Sequence, residues 1–143
     1  MTSQGNPSAG EAPGNASPAA RSVIVVGYSS APEGRAALTR AVAEARIRGS
    51  ELLIVQTSPE AESTTLSAEL ATTGVRHTLR SPDGTLEPAE ELINAAESSD
   101  ADFIIIGLRR RSPVGKRLLG SNAQRVLLDA SCPVLAVKAE PDL

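Results

Sequence analysis

From residue 21 onward the chain alternates short aliphatic runs with longer stretches whose apolar residues recur every three or four positions. SVIVVG (22–27), ELLIVQTS (51–58) and ADFIIIG (101–107) are near-continuous apolar runs, the mark of strands buried on both faces. VRHTLRS (75–81) alternates instead, as an edge strand with one wet face does. Pro133–Lys138 completes five predicted strands. Between them, Leu38, Ala41, Val42 and Ala45 make one helical stripe. Leu66 and Leu70 carry a weaker helix over roughly 60–73. Ala89, Leu92, Ile93 and Ala96 mark a third helix, and Ala123, Val126, Leu127 and Ala130 a fourth.

Local signals punctuate this pattern. Ser30-Ala31-Pro32-Glu33 reads as a capping box with proline in the first turn, and Ser121-Asn122-Ala123-Gln124 as a second. Gly49 and Gly74 supply helix stops. Strands that alternate with helices imply right-handed crossovers and therefore an α/β fold. The expected architecture is one domain, a five-stranded parallel sheet with helices on both faces. Such a sheet takes its ligand beyond the carboxyl ends of its strands. The loops there are Gly27–Ser30 and Gly107–Ser121.

Length and composition narrow the classes. At 143 residues the chain is about one domain. Residues 1–20 are mostly Ala, Gly, Pro and Ser, too poor in apolar bulk to offset the entropy of ordering, and read as a disordered tail ahead of a domain over 21–140. The net charge of −3 gives no global attraction to nucleic acid or to an anionic membrane. Tyr28 and Phe103 are the only aromatics, so base stacking has little to use. One cysteine excludes an internal disulfide, and no apolar run approaches a membrane span. No signal-peptide pattern is visible, and the expected location is cytoplasmic.

The cations are concentrated locally. GLRRRSPVGKRLLGS (107–121) holds Arg109, Arg110, Arg111, Lys116 and Arg117 between a strand and a helix. Free N–H groups and the positive helix end would converge there, which suits a phosphate. The plainer alternative is a solvated charged loop. Tyr28 lies at the mouth of the same crevice, where a ring either stacks on a base or packs with its hydroxyl wet; packing is the favoured reading. His77 has no second ligand at metal spacing, so no metal site is expected. Cys132 reads as a small buried hydrophobe, and no nucleophile–base pair is apparent.

VIVVG with a following Pro-Glu-Gly, IIIG…GS and the terminal CPVLAVK together resemble the universal stress protein family over about residues 22–138. The resemblance implies strand order 3-2-1-4-5 and a homodimer through the last strand. It also implies a non-catalytic stress-response role, with ATP or AMP as ligand. The family's nucleotide motif is Gly, two residues, Gly, nine residues, then Gly with Ser or Thr. Gly107 and Gly120-Ser121 fit it, and Arg110 stands at the middle glycine. Ser29 stands where the family's nucleoside-contacting aspartate belongs. The resulting candidate ligand set is Gly27, Ser29, Ser30, Gly107, Arg110, Gly120, Ser121 and Asn122. The alternative is a nucleotide-free dimeric interaction module of the same family. A slow ATPase lacks a candidate base or metal ligand, and a nucleic-acid binder is disfavoured by charge.

Overall fold

The first aliphatic run forms β1 (Val23–Tyr28), the centre of the sheet. The computed structural model describes residues 22–57, 63–82, 84–110 and 117–139. The segment read as a disordered tail lies outside them. After β1 come α1 (Pro32–Arg48), β2 (Glu51–Gln56), α2 (Ser63–Ala71), β3 (His77–Arg80) and α3 (Pro88–Ser99). β4 (Phe103–Arg110), β5 (Arg117–Leu118), α4 (Ser121–Asp129) and β6 (Val134–Lys138) complete the order.

β3, β2, β1, β4 and β6 lie side by side, all parallel. This is the 3-2-1-4-5 order expected, with β6 as the fifth strand of the parallel sheet. β5 is an addition that the sequence did not announce. It pairs antiparallel with the end of β4, Arg109 opposite Leu118 and Arg110 opposite Arg117. That pairing carries β4 two residues past Leu108, where its register with β6 ends.

Alternation along each strand sends side chains to two cores. Ile24, Val26, Leu52, Ile54 and Ile105 pack beneath α1 and α2, against Leu38, Leu66 and Leu70. Val25, Leu53, Val55, Ile104 and Ile106 pack beneath α3 and α4, against Leu92 and Val126. Burying each such aliphatic chain contributes about 1.5–3 kcal/mol. α1 presents Ala37, Leu38, Ala41 and Ala45 to the sheet and ends at Gly49 in the left-handed region, φ 70°. Such a φ suits glycine, as the sequence expected. In α4 only Val126 is fully buried, and Leu127 and Leu128 face outward.

The two expected capping boxes do not form, and each N-cap lies one residue from the serine expected there. Ala31 caps α1, because Pro32 with its fixed φ takes the first helical position. Ser29, not Ser30, turns its Oγ toward the Ala31 N–H, at 3.4 Å. Gly120 caps α4 and Ser121 is its first helical residue. Neither helix has a side-chain cap. Tyr28 is buried in the α1–α2 layer, and its hydroxyl accepts from Arg35 Nη1 at 3.0 Å. Arg35 also donates to Glu69 Oε2 at 2.7 Å, which ties β1 through α1 to α2. His77 is occupied locally, its Nδ1 3.0 Å from the Val75 carbonyl.

Candidate functional site

β1 leads into α1 on one side of the sheet, and β4 leads toward α4 on the other. The strand order reverses between them, and a crevice opens beyond their carboxyl ends. The cleft there has a volume of about 500 Å³, within the usual range for small-molecule sites. Seven of the eight candidate residues line it: Gly27, Ser29, Ser30, Gly107, Gly120, Ser121 and Asn122. The eighth, Arg110, lies beyond Arg109 in β4 with its backbone paired to Arg117. Arg111 and Lys116 lie outside the described residues.

Three helices begin at this cleft. The first turn of α1 contributes Glu33 and Gly34, α3 contributes Pro88, and α4 contributes Ser121 to Ala123. The first bond within α4 runs from the Gln124 N–H to the Gly120 carbonyl at 2.9 Å. The amides of Ser121, Asn122 and Ala123 precede it and have no acceptor inside their own helix. Gly120 has φ −67°, open to any residue, and nothing among the described residues comes within 4 Å of where its Cβ would be. Its missing side chain leaves the mouth of α4 uncovered by any described residue.

Gly107 has a different reason to be glycine. A Cβ there would collide with the Glu33 carbonyl, so the first turn of α1 rests directly on the backbone of β4. That contact sets Glu33 at the rim of the cleft. Its Oε2 lies 3.6 Å from Arg109 Nε, an ion pair longer than a hydrogen bond. These two are the only ionic side chains among the described residues that line the cleft.

Asn122 serves the scaffold as well as the cleft. Its Oδ1 accepts the Ala89 N–H at 3.1 Å and so satisfies the start of α3. Beside it, the Glu87 N–H and the Arg125 guanidinium hold the Glu90 carboxyl below the ordinary carboxylate range. Leu92, Ile106 and Val126 supply the apolar lining, and Leu92 Cδ1 sits 3.2 Å from where a Gly27 Cβ would be. Thr57, just after β2, completes the wall and is pinned by bonds to the Tyr28 carbonyl from its N–H and hydroxyl, at 2.8 and 3.1 Å.

Several of these residues were not singled out in the sequence. Thr57 follows the strand next to β1, and that adjacency is its one signal. Pro88 and Leu92 arrive only because α3 packs beside α4. Tyr28, by contrast, does not line the cleft. Cys132 is half-buried away from it, and burial pushes its thiol up, which disfavours the nucleophilic thiolate. Among the described residues no group of His, Cys, Asp or Glu is placed to hold a metal, and no helix is long and apolar enough to cross a membrane. What the cleft offers is helix amides with no acceptor in their own helix, one cation beside one carboxylate, and an apolar wall. That suits noncovalent binding of an anion attached to an apolar body.

Comparison with known proteins fits this geometry. The family model described as "Universal stress protein family" matches residues 84–138. A "Universal stress protein" from Mycolicibacterium smegmatis is 42% identical over 127 residues, covering 81% of this chain and 97% of that one. The solved universal stress protein of Archaeoglobus fulgidus is 29% identical with a TM-score of 0.67, covering 82% of this chain and 98% of that one. A universal stress protein structure from the same organism in complex with dAMP shares the fold, with a TM-score of 0.61 at 23% identity over 82% and 98% of the two chains. On the match to the M. smegmatis protein over nearly its whole length, this chain belongs to the universal stress protein family.

Proposed function

We propose that this chain is a non-catalytic, cytoplasmic stress-response protein whose cleft binds an adenine nucleotide, AMP or ATP. The observation that carries this reading is the meeting of three helix N-termini at one cleft of about 500 Å³. Each N-terminus carries about half a positive charge, and the first amides of α4, which have no acceptor within their own helix, favour a phosphate. Gly107, Gly120 and Ser121 would hold the phosphate end with Arg110, and Gly27, Ser29 and Ser30 the nucleoside. The dAMP complex of the A. fulgidus protein, which shares this fold, supports the choice of nucleotide. Ser29 offers a neutral hydroxyl, so its hydrogen bond to a ribose is weaker than a carboxylate's.

The nucleotide-free module is the second reading, favoured by one residue: Arg110 in place of the motif's middle glycine. Thermal unfolding with AMP, ADP and ATP decides between them. A ligand that binds only the folded protein raises Tm with concentration. Both the natural chain and Arg110→Gly are to be measured. If Arg110 supplies the phosphate contacts, glycine weakens the shift and added salt shrinks the difference. If Arg110 blocks the site, glycine strengthens the shift. No shift in either protein at millimolar nucleotide removes the nucleotide reading.

We further infer that the domain, over about residues 21–140, pairs with a second copy through β6. β6 is bonded to β4 on one side, and no described strand lies on its other side. An open edge bearing Val134, Leu135 and Val137 invites strand addition, and Leu128 on α4 is 81% exposed. A two-fold pairing is the commonest homo-oligomer symmetry. Sedimentation at tens of micromolar is expected to give a dimer. Ala136→Pro, which removes an N–H that faces away from β4 toward the open edge, is expected to give a monomer. A monomeric natural chain would contradict the pairing.

A further inference from the structure

We propose that Glu33 is a specificity-determining residue: a built-in competitor for Arg109 that biases the site toward nucleotides of low charge. The inference rests on the nucleotide reading above and names which nucleotides that site favours. Glu33 and Arg109 are the only charged side chains among the described lining residues, and they face each other across the rim. Their separation of 3.6 Å makes the contact coulombic rather than a hydrogen bond. Arg109 is 68% exposed, so an incoming phosphate reaches it readily. Glu33 is 22% exposed and cannot withdraw as far, because its backbone is wedged against Gly107. An entering phosphate therefore takes Arg109 and leaves the Glu33 carboxylate beside it.

Two effects follow, and both have a sign. Every phosphate ligand must break the Glu33–Arg109 pair, which weakens all of them alike. Each ligand then meets the unpaired carboxylate, and that repulsion grows with the charge it carries. A triphosphate is penalised more than a monophosphate, and a nucleoside without phosphate not at all. The positive helix ends still attract phosphate, so Glu33 tunes the preference and does not abolish binding.

The test compares the natural chain with Glu33→Gln, which keeps shape and removes charge, titrated calorimetrically with adenosine, AMP and ATP. A urea midpoint for each protein controls for the lost acid in the first turn of α1. An exposed pair has a small coupling, so the expected gain for AMP is about threefold. For ATP it is larger, about tenfold, with adenosine unchanged. Arg109→Gln is then added to both backgrounds. If the pair competes with phosphate, Arg109→Gln weakens AMP more in the Glu33→Gln background than in the natural chain. Equal gains for all three ligands, or AMP and ATP binding with an unchanged ratio, overturns the proposal while leaving the nucleotide reading intact. Absence of AMP and ATP binding in every variant removes the nucleotide reading and this inference with it.

Discussion

Replacing Gly107 with alanine is expected to destabilise the domain by about 3 kcal/mol and to lower its Tm by roughly 10 °C. The added methyl would meet the Glu33 backbone carbonyl, and a backbone atom cannot swing aside as a side-chain tip can. Relief requires lifting the first turn of α1 off β4. That movement separates Glu33 from its place beside Arg109 and opens the cleft along one side. Urea unfolding followed by circular dichroism measures the loss. Near-natural stability of Gly107→Ala would show that α1 does not rest on β4 as described. This glycine is thus a packing requirement of the scaffold, whatever ligand the cleft holds.

Gly120 gives the opposite pattern, with the second large effect. Gly120→Asp is expected to weaken AMP binding at least tenfold while leaving stability unchanged or raised by a few tenths of a kcal/mol. The backbone at Gly120 has φ −67° and ψ 166°, an ordinary extended conformation for aspartate, and no described atom crowds the new side chain. Aspartate is a better N-cap than glycine by that small margin. Its carboxylate would bond the first amides of α4 and put a negative charge where the phosphate is to sit. Two like charges about 4 Å apart repel by ~1–4 kcal/mol at the effective dielectric of a protein surface. Calorimetric titration beside a urea midpoint separates the two quantities. Unchanged AMP affinity in a folded Gly120→Asp protein would place the phosphate elsewhere.

The contrast between these glycines shows what the sequence carries and what it does not. Both were legible as motif positions, yet only the packing shows that one serves α1 and the other leaves a helix mouth open. The sheet was legible because runs such as VIVVG and FIIIG are apolar at every position, which only a strand covered on both faces requires. Helix starts were less so. Ser30 and Ser121 have good capping chemistry, but Pro32 and Gly120 shift each helix by one residue. The extension of β4 was invisible because Arg109 and Arg110 carry no apolar signal; their strand conformation comes from pairing with Arg117 and Leu118. At the site, residues flanking β1 and β4 could be named in advance. Thr57, Pro88 and Leu92 could not, since they reach the cleft from β2 and α3 through packing alone.

Mapping the backbone amide shifts of the 15N-labelled protein during AMP titration tests most directly whether the helix mouths form a nucleotide site. The expected result is one saturable set of changes, largest at Gly107 and Gly120–Ala123 and smaller at Gly27–Ser30, with β3 and α2 unmoved. No change at millimolar AMP, or changes confined to residues away from the cleft, would contradict it.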